Sequence, residues 1–218
     1  MKINKFVMGG VAVALVAAFV IAANRYRSEE TTQAEQTASQ ASDRLVRPHS
    51  PTLGPDNAPV TLVEFLDPEC EACGAMHPIV KQLMREFDGR VRLVVRYATF
   101  HPNAAYAASL LEGAREQGKY WELMDEFLGR QHEWAGHDAP RPDLLAVYAR
   151  NLALDMTKLG VTSTSAETER RIKQDAEDAE ALGVTRTPTF FVNGKPLAQI
   201  GYEPVRAAIA AALREDGR

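Results

Sequence analysis

The chain holds two cysteines, Cys70 and Cys73, and they bracket a Glu-Ala dipeptide in the run Cys70-Glu71-Ala72-Cys73. This excludes a multi-disulfide scaffold and any four-cysteine metal cage, and it concentrates the sulfur chemistry in one short stretch. Thiol–disulfide exchange needs a thiolate that attacks, a second thiol that resolves the mixed disulfide, and a leaving sulfur that is stable as an anion. A Cys-x-x-Cys at the start of a helix supplies all three. Cys70 would stand at the exposed end, where unpaired N–H groups and the positive end of the helix dipole lower a thiol pKa. Cys73 would lie one turn further in, more covered, as the resolving thiol. Glu71 works the other way, its charge opposing a thiolate next to it. A disulfide kept only for stability would close too small a loop to constrain the unfolded chain much. Met76 and His77 follow one turn later, and with the two thiols they make a possible ligand set for Cu(I) or Zn(II), so a metal-binding module is a second reading of the same residues.

Glu64 stands six residues before Cys70 inside an apolar run. An acid buried there would have a raised pKa, suited to moving a proton to or from Cys73. The structural alternative is a pairing with a base such as Arg96. His49 and His101 carry no recognisable motif. His132, Trp134 and His137 fall in a polar stretch without metal spacing and read as surface. The acidic run from Glu167 to Glu180 alternates with basic residues and reads as a solvated helix face.

The elements that would position these groups follow from periodicity. Val60 to Leu66, VTLVEFL, is β-rich and bounded by prolines, which predicts a buried strand ending just before Cys70. Met76, Ile79, Val80, Leu83, Met84 and Phe87 recur at helical spacing, with Pro78 expected to kink the helix. Val91 to Tyr97 is a second strand. Helical segments are expected at Asn103–Gln117, Tyr120–His132, Asp143–Ala153 and about Ala166–Leu182, the last with Thr164 and Glu167 at capping-box spacing. Thr189 to Val192, an Asn193-Gly194 turn and Leu197 to Ile200 read as a hairpin, and Pro204 to Leu213 as a closing helix.

The order is β-α-β, a helical block, then β-β-α, with the cysteines at the first strand-to-helix junction. These residues, together with DNAPVTLVEF before the motif and GVTRTPTFFVNG near the end, resemble the DsbA-like family of extracytoplasmic thiol:disulfide oxidoreductases. The resemblance spans about Leu53 to Leu213 and implies an α/β thioredoxin fold with a helical insertion at about 103–182 between its two halves. It implies catalytic roles for Cys70, Cys73 and Glu64. It also implies a cis-proline loop at Thr187-Pro188 that would present backbone to a substrate strand, beside Glu71 and Ala72. No cofactor is expected. The partners it implies are client proteins with cysteine pairs and a membrane redox partner, with the chain itself a monomer. Well-known strong oxidants of this family carry Pro-His where Glu71-Ala72 stands, so the expected potential lies between that of thioredoxin, about −270 mV, and the strongest oxidant, about −120 mV. The alternative direction is a membrane-tethered reductase or isomerase.

Phe6 to Ala23 is uncharged and apolar throughout, and as a helix it would rise about 27 Å, close to a bilayer core. Residues 1–27 are therefore expected to be a membrane anchor or a signal segment, with Ala22 and Ala23 available as small residues at a cleavage site. Residues 28–47, polar and without periodicity, read as a flexible stalk, and 48–218 as the folded domain. That arrangement places the domain outside the cytoplasm, where disulfides persist. Lys and Arg number 25 against 29 Asp and Glu, a net charge of −4 with no basic block, which argues against nucleic acid as a partner.

Overall fold

The computed structural model describes residues 41–136 and 138–217, together with Arg25. The apolar segment, residues 28–40 of the expected stalk, and His137 lie outside the described residues. Two compact units divide the chain, Met1–Asp43 and Arg44–Arg218, and the fold described below is that of the second. Among the described residues no helix is long and apolar enough to cross a membrane.

The elements run β1 (Thr52–Leu53), β2 (Val60–Leu66), α1 (Glu71–Glu86), β3 (Val91–Tyr97), α2 (Ala104–Arg115), α3 (Tyr120–Gly129), α4 (Gln131–Trp134), α5 (Asp143–Asn151), α6 (Met156–Ser163), α7 (Ala166–Ala181), β4 (Thr189–Val192), β5 (Lys195–Pro196) and α8 (Tyr202–Glu215). One five-stranded sheet has the order β1-β3-β2-β4-β5. β2 pairs with β3 in parallel and with β4 antiparallel, which puts Glu64 at its centre, opposite Val95 on one side and Phe190 on the other. The α/β fold and its helical insertion, α2 to α7, are those expected from the sequence.

Side chains of a strand alternate between the two faces of the sheet, and here that alternation separates two cores. Leu62, Leu66, Leu93, Val95 and Phe190 share a large core with both cysteines, α1 and the insertion helices. Val63, Phe65, Val94, Ala98 and Phe191 share a smaller one with Ala179 of α7 and Leu45. Leu45 is buried, so the folded unit takes in residues that the composition assigned to the stalk.

Several local expectations are corrected. The cap of α7 is Ser165, whose hydroxyl accepts from the Thr168 N–H, and not Thr164. The strand after the Asn193-Gly194 turn is two residues, Lys195–Pro196, and ends before Leu197–Ile200. The helix expected around Pro78 is present and α1 continues through it, the N–H missing there leaving the Gly74 carbonyl without its helical donor. Trp134 is fully buried and donates from Nε1 to the Phe127 carbonyl at 2.8 Å, because it lies on a helical turn facing α3 and not on surface loop. Strand β1 and helix α6 were too short or too weakly patterned to be read from the sequence.

Candidate functional site

The strand β2 ends in an acidic loop, Asp67-Pro68-Glu69, that delivers the chain to α1. Cys70 is the N-cap of α1, with extended backbone at φ −73° and ψ 121°, and its carbonyl accepts from Cys73 N at 2.9 Å and Gly74 N at 3.1 Å. Its own N–H donates to the Asp67 carbonyl at 3.1 Å. Both cysteines are free thiols. Cys70 is 8% exposed and Cys73 not at all, so the nucleophile candidate is more sheltered than the sequence reading placed it, yet it remains the outer of the two. Glu71 and Ala72 are exposed.

The two thiols sit in opposed environments. A hydrogen bond from Cys73 holds Cys70 well below the ordinary thiol value, at about 5, against the effect of its burial; the Thr187 side chain and the N–H groups of Cys73 and Ala72 add to the lowering. Burial pushes the Cys73 thiol far up, and its bond to Cys70 and the charge of Glu64 push the same way. One sulfur is thus ready to ionise and its neighbour is held protonated.

The Thr187-Pro188 bond is cis. Its loop lies against the cysteines, with the Thr187 carbonyl 3.4 Å from Cys70 Sγ. That carbonyl favours the thiol of Cys70 and the Thr187 side chain favours the thiolate; the balance stays low chiefly because the Cys73 side chain bonds to Cys70, with the helix-start N–H groups adding to it.

Glu64 is 2% exposed, its Oε1 has no hydrogen-bond partner, and burial raises its pKa to about 8. The alternative pairing with Arg96 does not form. In the parallel register Arg96 lies opposite Phe65, not Glu64, so the two side chains enter different cores. Arg96 bonds instead to Asp175 at 2.7 Å and Asp178 at 2.8 Å, both fully buried on α7. The acidic run of α7 is therefore not simply a solvated face.

The would-be metal set does not converge either. Met76 packs in the large core, and His77 is buried with Nε2 bonded to Asp125 at 2.7 Å. Among the described residues no three His, Cys, Asp or Glu side chains are grouped to hold a metal.

Two further contacts were missed by sequence reasoning. Gln131 of α4 is buried and donates from Nε2 to the carbonyls of Pro68 at 2.7 Å and Cys70 at 2.9 Å, so the insertion grips the start of α1 directly. Asp67 accepts from the ring of His101 at 2.8 Å, bringing the segment after β3 beside the cysteines. No local pattern marks either contact, because each joins groups far apart in sequence.

Residues 47–211 match the family model described as Thioredoxin. The chain belongs to the thioredoxin family. Solved structures similar to it include a thioredoxin-like oxidoreductase from Silicibacter pomeroyi, 27% identical with a TM-score of 0.69, covering 79% of this chain and 97% of that one. BdbD from Bacillus subtilis is 23% identical at a TM-score of 0.68, over 76% of this chain and 93% of its own. The thiol-disulfide exchange protein α-DsbA2 from Wolbachia pipientis is 19% identical at 0.70, over 84% and 97%; likeness at these last two identities is one of fold. The DsbA-like resemblance read from the motifs is thus matched by the architecture. Curated relatives are of another kind: the Na(+)/H(+) antiporter NhaA 3 of Salinispora tropica is 40% identical over 145 residues, 65% of this chain and 21% of the antiporter. The NhaA 1 antiporter of Salinispora arenicola is 37% identical over 164 residues, 73% of this chain and 24% of its own length. The chain spans about a fifth to a quarter of the length of these relatives.

Proposed function

We propose that this chain is a protein thiol:disulfide oxidoreductase that works through Cys70 and Cys73. The observation that carries the reading is the opposed pair of environments at the start of α1, one thiol held down to about 5 and the other pushed up within the same helical turn. Cys70 is the sulfur that forms the mixed disulfide with a client, and Cys73 resolves it. Glu64, buried with an unbonded oxygen and charge-coupled to Cys73, is placed to take up or return its proton. The loop at Thr187-Pro188, with Glu71 and Ala72 exposed beside it, forms the surface against which a client strand docks.

The preferred direction is oxidation of client dithiols outside the cytoplasm, because stabilising the Cys70 thiolate stabilises the reduced enzyme and makes its disulfide oxidising. The apolar segment Phe6–Ala23 supports a membrane-anchored or exported protein, monomeric, whose cysteines are reoxidised by a membrane partner. In the test, reduced protein is titrated by thiolate absorbance and a Cys73→Ala variant is examined on non-reducing gels. Cys70 should ionise near pH 5, and the variant should accumulate mixed disulfides that Cys70→Ala does not. Equal trapping by both variants, or ionisation no lower than the free-thiol value of about 8.5, would remove the assignment.

A further inference from the structure

Two segments far apart in sequence are laced together beside Cys70. Asp67 Oδ2 accepts from Phe100 N at 2.8 Å, from His101 N at 3.0 Å and from His101 Nδ1 at 2.8 Å. Its other oxygen accepts from Glu69 N at 2.8 Å. Glu69 in turn accepts from Asn103 N at 2.6 Å and Asn103 Nδ2 at 2.7 Å. Asp67 is wholly buried and Glu69 8% exposed, so these bonds are shielded from water and hold the segment after β3 as a fixed wall of the site. The same Asp67 receives Cys70 N on its carbonyl at 3.1 Å. One residue therefore connects the His101 ring to the backbone of the nucleophile, while the ring stays 36% exposed and open to protons.

The Glu71-Ala72 dipeptide offers no cation to the Cys70 thiolate, and Glu71 opposes it. His101, fixed beside the site by Asp67, is a group that can supply what the dipeptide lacks. A carboxylate only accepts, so Nδ1 carries a hydrogen toward Asp67 and Nε2 is the atom that gains or loses a proton near neutrality.

Building on the thiol-exchange reading, we propose that His101 is a positioning residue for that reaction: pinned through Nδ1 to Asp67, its neutral imidazole takes up at Nε2 a proton released on reduction, and the imidazolium so formed holds the Cys70 thiolate. A client dithiol brings two sulfur-bound hydrogens and two electrons. The Cys70–Cys73 bond breaks, the client's sulfur–sulfur bond forms, and Cys73 keeps one proton as a thiol. Cys70 leaves as a thiolate, and the second proton goes to His101 Nε2. Burial of the ring works against its charged form. The bond to Asp67 and the charges of Asp67, Cys70 and Glu69 outweigh it and hold the ring above the ordinary imidazole value. Neither Asp67 nor Glu69 takes part in the exchange, so the charge that changes beside the ring is that of Cys70.

Coupling of this kind is reciprocal, which gives a test independent of turnover. The imidazole of His101 is titrated by NMR in the full chain in detergent, once fully reduced and once as the disulfide. The reduced form should titrate higher by at least ~0.5 pH unit, because only it presents the thiolate. Coincident curves would overturn the proposal. His101→Gln, which keeps a donor for Asp67 without a charge, should raise the Cys70 midpoint by a similar amount, and His101→Lys should restore most of it. A Cys70 midpoint equal in wild type and His101→Gln would also overturn it. If Cys70 ionises low and Cys73→Ala traps clients while the His101 curves coincide, only the role of His101 fails. If Cys70 shows no low ionisation and nothing is trapped, the exchange reading itself fails and takes this proposal with it.

Discussion

The two faces of the central sheet each bury an ionisable side chain from adjacent strands, and they treat it in opposite ways. On one face Arg96 of β3 is surrounded: Nε and Nη2 bond Asp175 at 3.0 and 2.7 Å, Nη2 also reaches Asp178 at 2.8 Å, and Nη1 meets the Arg44 carbonyl. Arg47 adds a two-pronged bond to Asp178 at 2.6 and 2.7 Å, and Tyr97 N donates to Asp175 at 3.0 Å. On the other face Glu64 of β2 keeps an oxygen without a partner beneath the cysteines. A network with its donors and acceptors satisfied ties elements together and has no reason to change charge. An acid left unsatisfied by burial is held neutral and is ready to change charge, which is the property proton transfer requires. The difference separates architecture from chemistry within a single sheet.

The largest expected effect comes from breaking the satisfied face. Arg96→Ala leaves Asp175 paired with His49 and Asp178 with Arg44 and Arg47, and removing one partner of such a buried group costs about 3–5 kcal/mol. Denaturant unfolding should show this loss while the Cys70 thiolate titration stays where it was. A cost under ~1 kcal/mol would mean that water, His49 or Arg47 compensates, and the cluster would lose its standing as the joint between β3, α7 and residues 44–49.

Glu64→Gln probes the opposite face, and its sign is reversed. A carboxyl raised to about 8 from an ordinary 4.5 is protonated in the folded chain over a range where the unfolded chain has lost its proton. Its favourable state is fully present below the unfolded value and is lost as pH rises through the folded one. Wild-type stability should therefore fall relative to Glu64→Gln between pH 4.5 and 8, by up to ~1.4 kcal/mol per pH unit, and level off above. Parallel stability curves for the two proteins would show that Glu64 is hydrated and ordinary, and the contrast between the faces would vanish.

Which of this was legible in the sequence depends on whether the signal was local. The strand, the cysteine pair and the helix after it declare themselves by spacing and periodicity within about 30 residues, and Thr187-Pro188 by its place before the last hairpin. The separation of Glu64 from Arg96 was in principle readable too, since the parallel register that pairs Phe65 with Arg96 sends them to opposite faces. What could not be read is long-range capture. Asp175 and Asp178 look like members of a solvated acidic stripe until α7 is docked on β3, and His101 is one histidine among five until Asp67 takes its ring.

The smallest expected effect lies at a satisfied contact within the chemical face, and it asks whether neutral polar contacts there are as costly to break as the ionic ones opposite. A Cβ added at Gly74 would lie 2.2 Å from Gln131 Oε1. The amide cannot simply swing aside, because its Nε2 is committed to the carbonyls of Pro68 and Cys70. Gly74→Ala should thus force Gln131 off those carbonyls, and Gln131→Ala removes the same bonds outright, each at roughly 1–2 kcal/mol. Both single changes lose one shared set of bonds, and truncating the Gln131 side chain makes room for the new methyl. The double variant should therefore cost less than the two summed, by about 1 kcal/mol. Strict additivity in denaturant unfolding would mean that Gln131 relaxes freely. In that case the grip of α4 on the start of α1 would be incidental, and the position of Cys70 would rest on Asp67 and the Thr187-Pro188 loop.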